Sequence, residues 1–159
     1  MGDAGIRIYR ASEADKDAAW SIVTAYNEEI GVIVRDTPEG FAKYFNPDSG
    51  LWLAEQDTSS GRKVVGCIIL RPIHVPGVER TAEVKRLYVL PEARGLRIAD
   101  KLLEQLDQFA KEQGYEWVYL DTKDDLTAAI KFYRRMGYED CERYNDNPQA
   151  TMFMRKKVE

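Results

Sequence analysis

The chain has 159 residues, which suits one domain with a core of its own. Hydrophobic residues make up 44% and charged residues 31%, a balance that predicts a globular, soluble protein. A net charge of −4 argues against a nucleic-acid partner, and no apolar run is long enough to span a membrane.

The start of the chain, from Met1 to Ile6, lacks the apolar core of a signal peptide and the Ser or Thr that myristoylation needs at position 6. Two cysteines, Cys67 and Cys141, make neither a disulfide framework nor a metal cluster, so no metal is expected. Cys67 lies in the apolar run from Val64 to Leu70 and reads as a small buried hydrophobe. A reducing cytoplasm is the expected compartment.

Ile6 to Arg10 reads as a first strand. Ser12 and Asp15 form a capping pair ahead of a helix whose apolar face carries Ala19, Ile22, Val23, Tyr26 and Ile30, with Gly31 at its end. Thr37-Pro38 starts a short second helix, a cap followed by proline at the first helical position. Leu51 to Glu55 and Val64 to Leu70 read as strands joined by the polar turn at 57–61. The segment from Arg71 to Arg80, with two prolines and a glycine, reads as a loop. Thr81 to Leu90 is a fourth strand, and residues 97–112 a long helix followed by Gly114. Trp117 to Leu120 is apolar on both faces, as for an interior parallel strand. Leu126, Ala129, Ile130 and Tyr133 share a helix face, Gly137 ends that helix, and Tyr138–Tyr144 and Thr151–Lys157 read as closing strands. An antiparallel meander followed by alternating helices and strands predicts an α/β fold, with a mixed sheet and helices on both faces. No linker or repeat interrupts it, so residues 1–159 are expected to form a single domain.

The fourth strand and the long helix are joined by Pro91-Glu92-Ala93-Arg94-Gly95-Leu96-Arg97. Pro91 stops the strand, and Ile98, Leu102, Leu103, Leu106, Phe109 and Ala110 recur at helical spacing. A helix start leaves backbone N–H groups unpaired at the positive end of its dipole, and two arginines share the loop. This combination suits a pyrophosphate.

Arg94-Gly95-Leu96-Arg97-Ile98-Ala99 resembles the acetyl-CoA loop of the GNAT superfamily of N-acetyltransferases, Q/R-x-x-G-x-G/A. Arg94 and Ala99 fit the pattern, while Arg97 stands where a second glycine is usual. Glu83 to Val89 resembles the family's preceding strand, and Phe132-Tyr133-Arg134-Arg135-Met136-Gly137-Tyr138 its later helix-to-strand junction. The three pieces occur in family order. The resemblance implies a single-domain, mostly antiparallel mixed sheet whose fourth and fifth strands splay to admit acetyl-CoA. It implies backbone contacts from Leu87, Tyr88 and Val89 to the pantetheine arm. Arg94, Gly95, Leu96, Arg97, Ile98 and Ala99 would hold the pyrophosphate. The implied reaction is acetyl transfer to the primary amine of a small molecule or amino acid, by direct attack on the thioester. An amine on a protein or peptide, and a non-catalytic acyl-CoA-binding regulator, are the alternatives. A Rossmann-type site is disfavoured, because the loop lacks G-x-G-x-x-G.

Tyr133 matches the tyrosine that the family commonly uses as general acid to the thiolate; its helix face also suits a core tyrosine. Glu83 matches the strand glutamate that some members use as base, and otherwise reads as a solvated edge carboxylate. Lys85 and Arg86 lie nearby; each reads as a solvated surface charge, with the steering of anions by one of them as the alternative. The family's cofactor-contacting asparagine is replaced by Leu126. Tyr26, Glu29, Tyr44, Phe45, His74 and Tyr144 are candidates for lining the acceptor pocket. The partner expected is a small-molecule amine, with the chain acting as a monomer or homodimer.

Overall fold

A computed structural model describes residues 5–159. The reading of the first four residues lies outside them. Seven strands form one sheet: β1 Ile6–Arg10, β2 Gly50–Thr58, β3 Gly61–Val75, β4 Val78–Val89, β5 Trp117–Thr122, β6 Glu139–Asp140 and β7 Met152–Lys157. Their order is β1-β2-β3-β4-β5-β7-β6, and β4 with β5 is the parallel pair. Four α-helices cover the sheet: α1 Lys16–Ile30, α2 Pro38–Ala42, α3 Ile98–Glu112 and α4 Thr127–Arg135.

The alternation in β2 and β3 explains why helices pack on both sides. Trp52, Ala54, Ile68 and Leu70 join the α3 and α4 core, while Leu51, Leu53, Cys67 and Ile69 join the α1 and α2 core. A strand with apolar residues on both faces is stable only when both are covered. Leu102, Leu103 and Leu106 of α3 are fully buried against the sheet, each contributing about 1.5–3 kcal/mol.

The local signals hold where they are strong. The Ser12 N–H donates to the Asp15 carboxylate at 2.8 Å, and the Thr37 hydroxyl accepts from the Gly40 N–H at 3.0 Å. Gly31 ends α1 in the left-handed region at φ 77°.

Two readings are corrected. Residues 71–80 are not a loop: β3 and β4 run on through them and meet in a tight hairpin, Val75 opposite Val78. The prolines are tolerated because Pro72 and Pro76 are exposed, Pro76 at the turn itself. The segment 138–144 is strand only over Glu139–Asp140.

A bulge in β4 positions the site. Cys67 faces Tyr88 and Ile69 faces Lys85, so β4 carries one extra residue, with Arg86 left-handed at φ 57°. A bulge bends its strand. Pairing of β4 with β5 accordingly ends at Glu83 opposite Tyr119, while β5 continues along β7 to Thr122.

Candidate active site

Where β4 and β5 part, a cleft of about 1180 Å³ opens. Its walls are β4 from Glu83 to Val89, the loop into α3, the end of β5, α4, the end of α1, and residues 145–150. That last segment is strapped over α1: Gln149 donates to the Gly31 carbonyl at 3.1 Å and accepts from the Ile33 N–H at 2.9 Å. Lys123 reaches the Ile30 carbonyl at 3.3 Å.

One end of the cleft is built for an anion. Arg97 occupies the cap position of α3 at φ 60° and offers no side-chain cap. The first N–H groups of this helix are therefore uncapped, and Ile98, Ala99 and Asp100 line the cleft. Gly95 is left-handed at φ 90°, a turn that glycine makes without strain. Arg94 and Gly95 line the cleft, whereas the Leu96 side chain packs against the α3 core. Arg94 donates to the Val89 carbonyl at 2.9 Å and to Glu29 at 2.9 Å. Tyr88 also donates to Glu29, at 2.9 Å; burial and then that bond push its phenol up to about 12. The Arg97 side chain is 76% exposed and lies 3.5 Å from Asp100, which Arg135 holds at 3.0 Å.

Tyr133 stands on the α4 wall. It is 8% exposed, edge-on to Tyr138 at 5.8 Å, and faces the cleft. Its hydroxyl has no hydrogen-bond partner among the described residues, and unlike the fully buried, unpartnered hydroxyl of Tyr138 it borders the cleft. Burial, and then the fields of Tyr26 and Asp121, raise its pKa, so the phenol keeps its proton at neutral pH.

Glu83 is 3% exposed, not a solvated edge carboxylate. Its Oε1 accepts from Arg71 Nε and pairs with Arg71 Nη2, each at 2.9 Å. Its Oε2 accepts from the Tyr144 hydroxyl at 2.7 Å and from Asn145 Nδ2 at 3.2 Å. Asn145 also donates to Asp121 at 2.6 Å, and Asn147 to the same carboxylate at 3.3 Å. The bond to charged Glu83, after burial and its field, keeps the Tyr144 phenol protonated.

A model of the Acetyltransferase (GNAT) family matches residues 14–138. The chain belongs to the GNAT acetyltransferase family. An uncharacterized N-acetyltransferase of Schizosaccharomyces pombe is 32% identical over 139 residues, covering 84% of this chain and 82% of that protein. N-acetyltransferase family 8 member 2 of Rattus norvegicus is 34% identical over 102 residues, 64% of this chain and 43% of that protein. The chain thus spans under half the length of the rat relative. A GNAT family acetyltransferase from Staphylococcus aureus superposes with a TM-score of 0.78 at 22% identity, covering 97% of this chain and 99% of that one. The yncA structure from Salmonella typhimurium, solved with acetyl-CoA, gives 0.74 at 19%, covering 98% and 95%. At these identities the two structures speak to the fold alone.

GNAT enzymes use acetyl-CoA as cosubstrate, and the cleft of this GNAT chain fits it. The fit rests on the uncapped α3 terminus, on the β4 edge without a strand partner beyond Glu83, and on the unpartnered Tyr133 hydroxyl. Leu126, at the family's asparagine position, lines the cleft with an apolar side chain.

Of the acceptor-pocket candidates, Tyr26 and Glu29 line the cleft. Tyr44 is drawn away to Asp36 at 2.6 Å, and Phe45 packs in the α1 and α2 core. Tyr144 acts on the site through Glu83. His74 is exposed on the β3–β4 hairpin, away from the cleft. Arg71, Asp121, Asn145 and Asn147 were not anticipated. The hairpin itself was within reach of a sequence signal, since Pro76-Gly77 is a turn dipeptide, but that turn alone would set Arg71 opposite Ala82; the irregularity between Ile73 and Val75 is what brings Arg71 opposite Glu83.

Proposed function

We propose that this GNAT protein transfers the acetyl group of acetyl-CoA to a primary amine of a small molecule or amino acid, by direct attack of the amine on the thioester. The observation that carries the reading is Tyr133, a protonated phenol without a partner, on the wall where β4 and β5 part. Acetyl-CoA, when bound, supplies the reactive thioester. Residues 87–89 offer the open β4 edge to the pantetheine arm, as a sheet edge offers itself to an added strand. Arg94, Gly95, Leu96, Arg97, Ile98 and Ala99 hold the pyrophosphate, through N–H groups and the charge of Arg94. Tyr133 gives its proton to the departing thiolate. Glu83 takes the proton of the amine, exchanging its longest bond, the 3.2 Å contact to Asn145, for it. Residues 1–159 act as one domain.

Tyr133→Phe tests this, because it keeps the ring and removes the hydroxyl. General acid catalysis contributes about 10²–10⁴-fold. A fall in kcat of about 10²-fold is expected, the lower end, since a thiolate leaves readily. The Kd for acetyl-CoA, measured by calorimetry, should stay nearly unchanged. Parental turnover with chemistry rate-limiting removes Tyr133 from the reaction. A collapse of cofactor affinity makes it a binding residue.

A further inference from the structure

Lys85 is a cation without a counter-ion. It is half-buried in the cleft wall and makes no hydrogen bond or ion pair among the described residues. Burial, and then the fields of Arg71 and Arg86, depress its pKa. The two carboxylates whose fields reach it are already engaged. Glu83 is held by Arg71, Tyr144 and Asn145, and Asp36 by Arg86 and Tyr44. Three cations therefore face two carboxylates, and the one without a contact is Lys85. A buried charge left unpaired is costly, and it persists where a ligand supplies the partner.

Lys85 is set back from the loop that would hold the cofactor phosphates. It lies four residues back along β4 from Val89, one of them the bulged residue, so about 10 Å from the strand end where the arginine loop begins. Glu83 lies two residues further back on the same face, about 7 Å from Lys85. One small molecule spans both. Lys85 offers a single ammonium, which matches one carboxylate charge for charge.

Building on the acetyl-transfer reading above, we propose that the acceptor amine carries a carboxylate, as an α-amino acid does. The carboxylate ion-pairs with Lys85 while the amine faces Glu83. A neutral or polycationic amine leaves Lys85 unpaired or repelled.

The test uses the common α-amino acids and their α-carboxamides as matched acceptors, with O-phosphoethanolamine as a phosphate control. Thiol release from acetyl-CoA is followed for the parent, Lys85→Met and Lys85→Arg. The parent should favour acids over carboxamides by about ten-fold or more in kcat/KM, the strength of a charge-assisted contact. Lys85→Met should abolish that preference by raising KM for the acids, with KM for the carboxamides and Kd for acetyl-CoA unchanged. Lys85→Arg should keep it. The melting temperature of Lys85→Met should hold or rise, because an unpaired buried charge is removed. Equal or better use of the carboxamides by the parent overturns the carboxylate site and leaves acetyl transfer standing. So does an equal loss on both series in Lys85→Met, and so does a preference for O-phosphoethanolamine. If no amine is acetylated although acetyl-CoA binds, the acetyl-transfer reading fails. Calorimetric titration of the coenzyme-A-loaded protein then decides the inference separately. Lys85-dependent binding of the acids over the carboxamides supports it, and its absence overturns it.

Discussion

The two halves of β4 have the same backbone and opposite fates. Over Thr81–Glu83 the strand is paired on both sides, and Glu83 sits in a full set of donors. Beyond Glu83, through the bulge at Arg86, the side toward β5 is open, and two of the cations along it are unpartnered or borrowed. Lys85 has no counter-ion, and Arg94 leans on Glu29 and the Val89 carbonyl. The paired half is suited to chemistry, because a carboxylate fixed by its neighbours keeps one orientation. The open half is suited to binding, because its unmet partners are what a ligand brings. Substitutions should divide accordingly, into losses of kcat and losses of affinity.

Glu83→Gln is expected to have the largest effect in this set. It keeps the shape and removes the charge, and kcat should fall by about 10²-fold or more, as for a general base. Acetyl-CoA affinity should not move. Stability should drop little, because Arg71 is 43% exposed and water replaces its partner. Undiminished turnover would break the comparison, leaving Glu83 a structural anchor.

Arg94→Ala should weaken acetyl-CoA by about ten-fold in a calorimetric Kd, the worth of one charge-assisted contact. The fold should survive, because the loop is exposed. Arg97→Gly keeps the left-handed turn and removes an exposed side chain, so a loss of about two-fold is expected. A larger loss at Arg97 than at Arg94 would exchange their roles.

Glu29→Gln should have the smallest effect and the opposite sign. Glu29 competes for Arg94, so its removal should tighten acetyl-CoA by about two- to three-fold, the scale of an exposed ion pair. The hydrogen bonds from Arg94 and then Tyr88 hold its carboxyl below the ordinary range. That stabilisation is present above the unfolded value, about 4.3, and is lost as pH falls through the lower native value. Parent and variant should therefore differ slightly in melting temperature at pH 7 and converge in strong acid. A gap that widens in acid would refute the pair.

The chain's order of elements was legible because its signals are local. Pro91 stops β4, the apolar period of 98–110 makes α3, and Gly31 and Gly137 end their helices at left-handed φ. The resemblance of 83–99 and 132–138 to GNAT motifs was legible for the same reason, since each motif is a short contiguous run. What the sequence by itself determined, then, is the order of most elements and the family; it also nominated Tyr133 and Glu83, on which the proposed chemistry rests. The environment of Glu83 was decided by tertiary structure alone. Its partners lie 12 and 61 residues away, at Arg71 and Tyr144. Side chains alternate along a strand, so a register slip of one residue would turn Arg71 to the other face. The same holds for Lys85, read from its neighbours as solvated and found half-buried. Where β4 parts from β5 depends on one bulged residue and on which strands flank it, and no window of local sequence contains both.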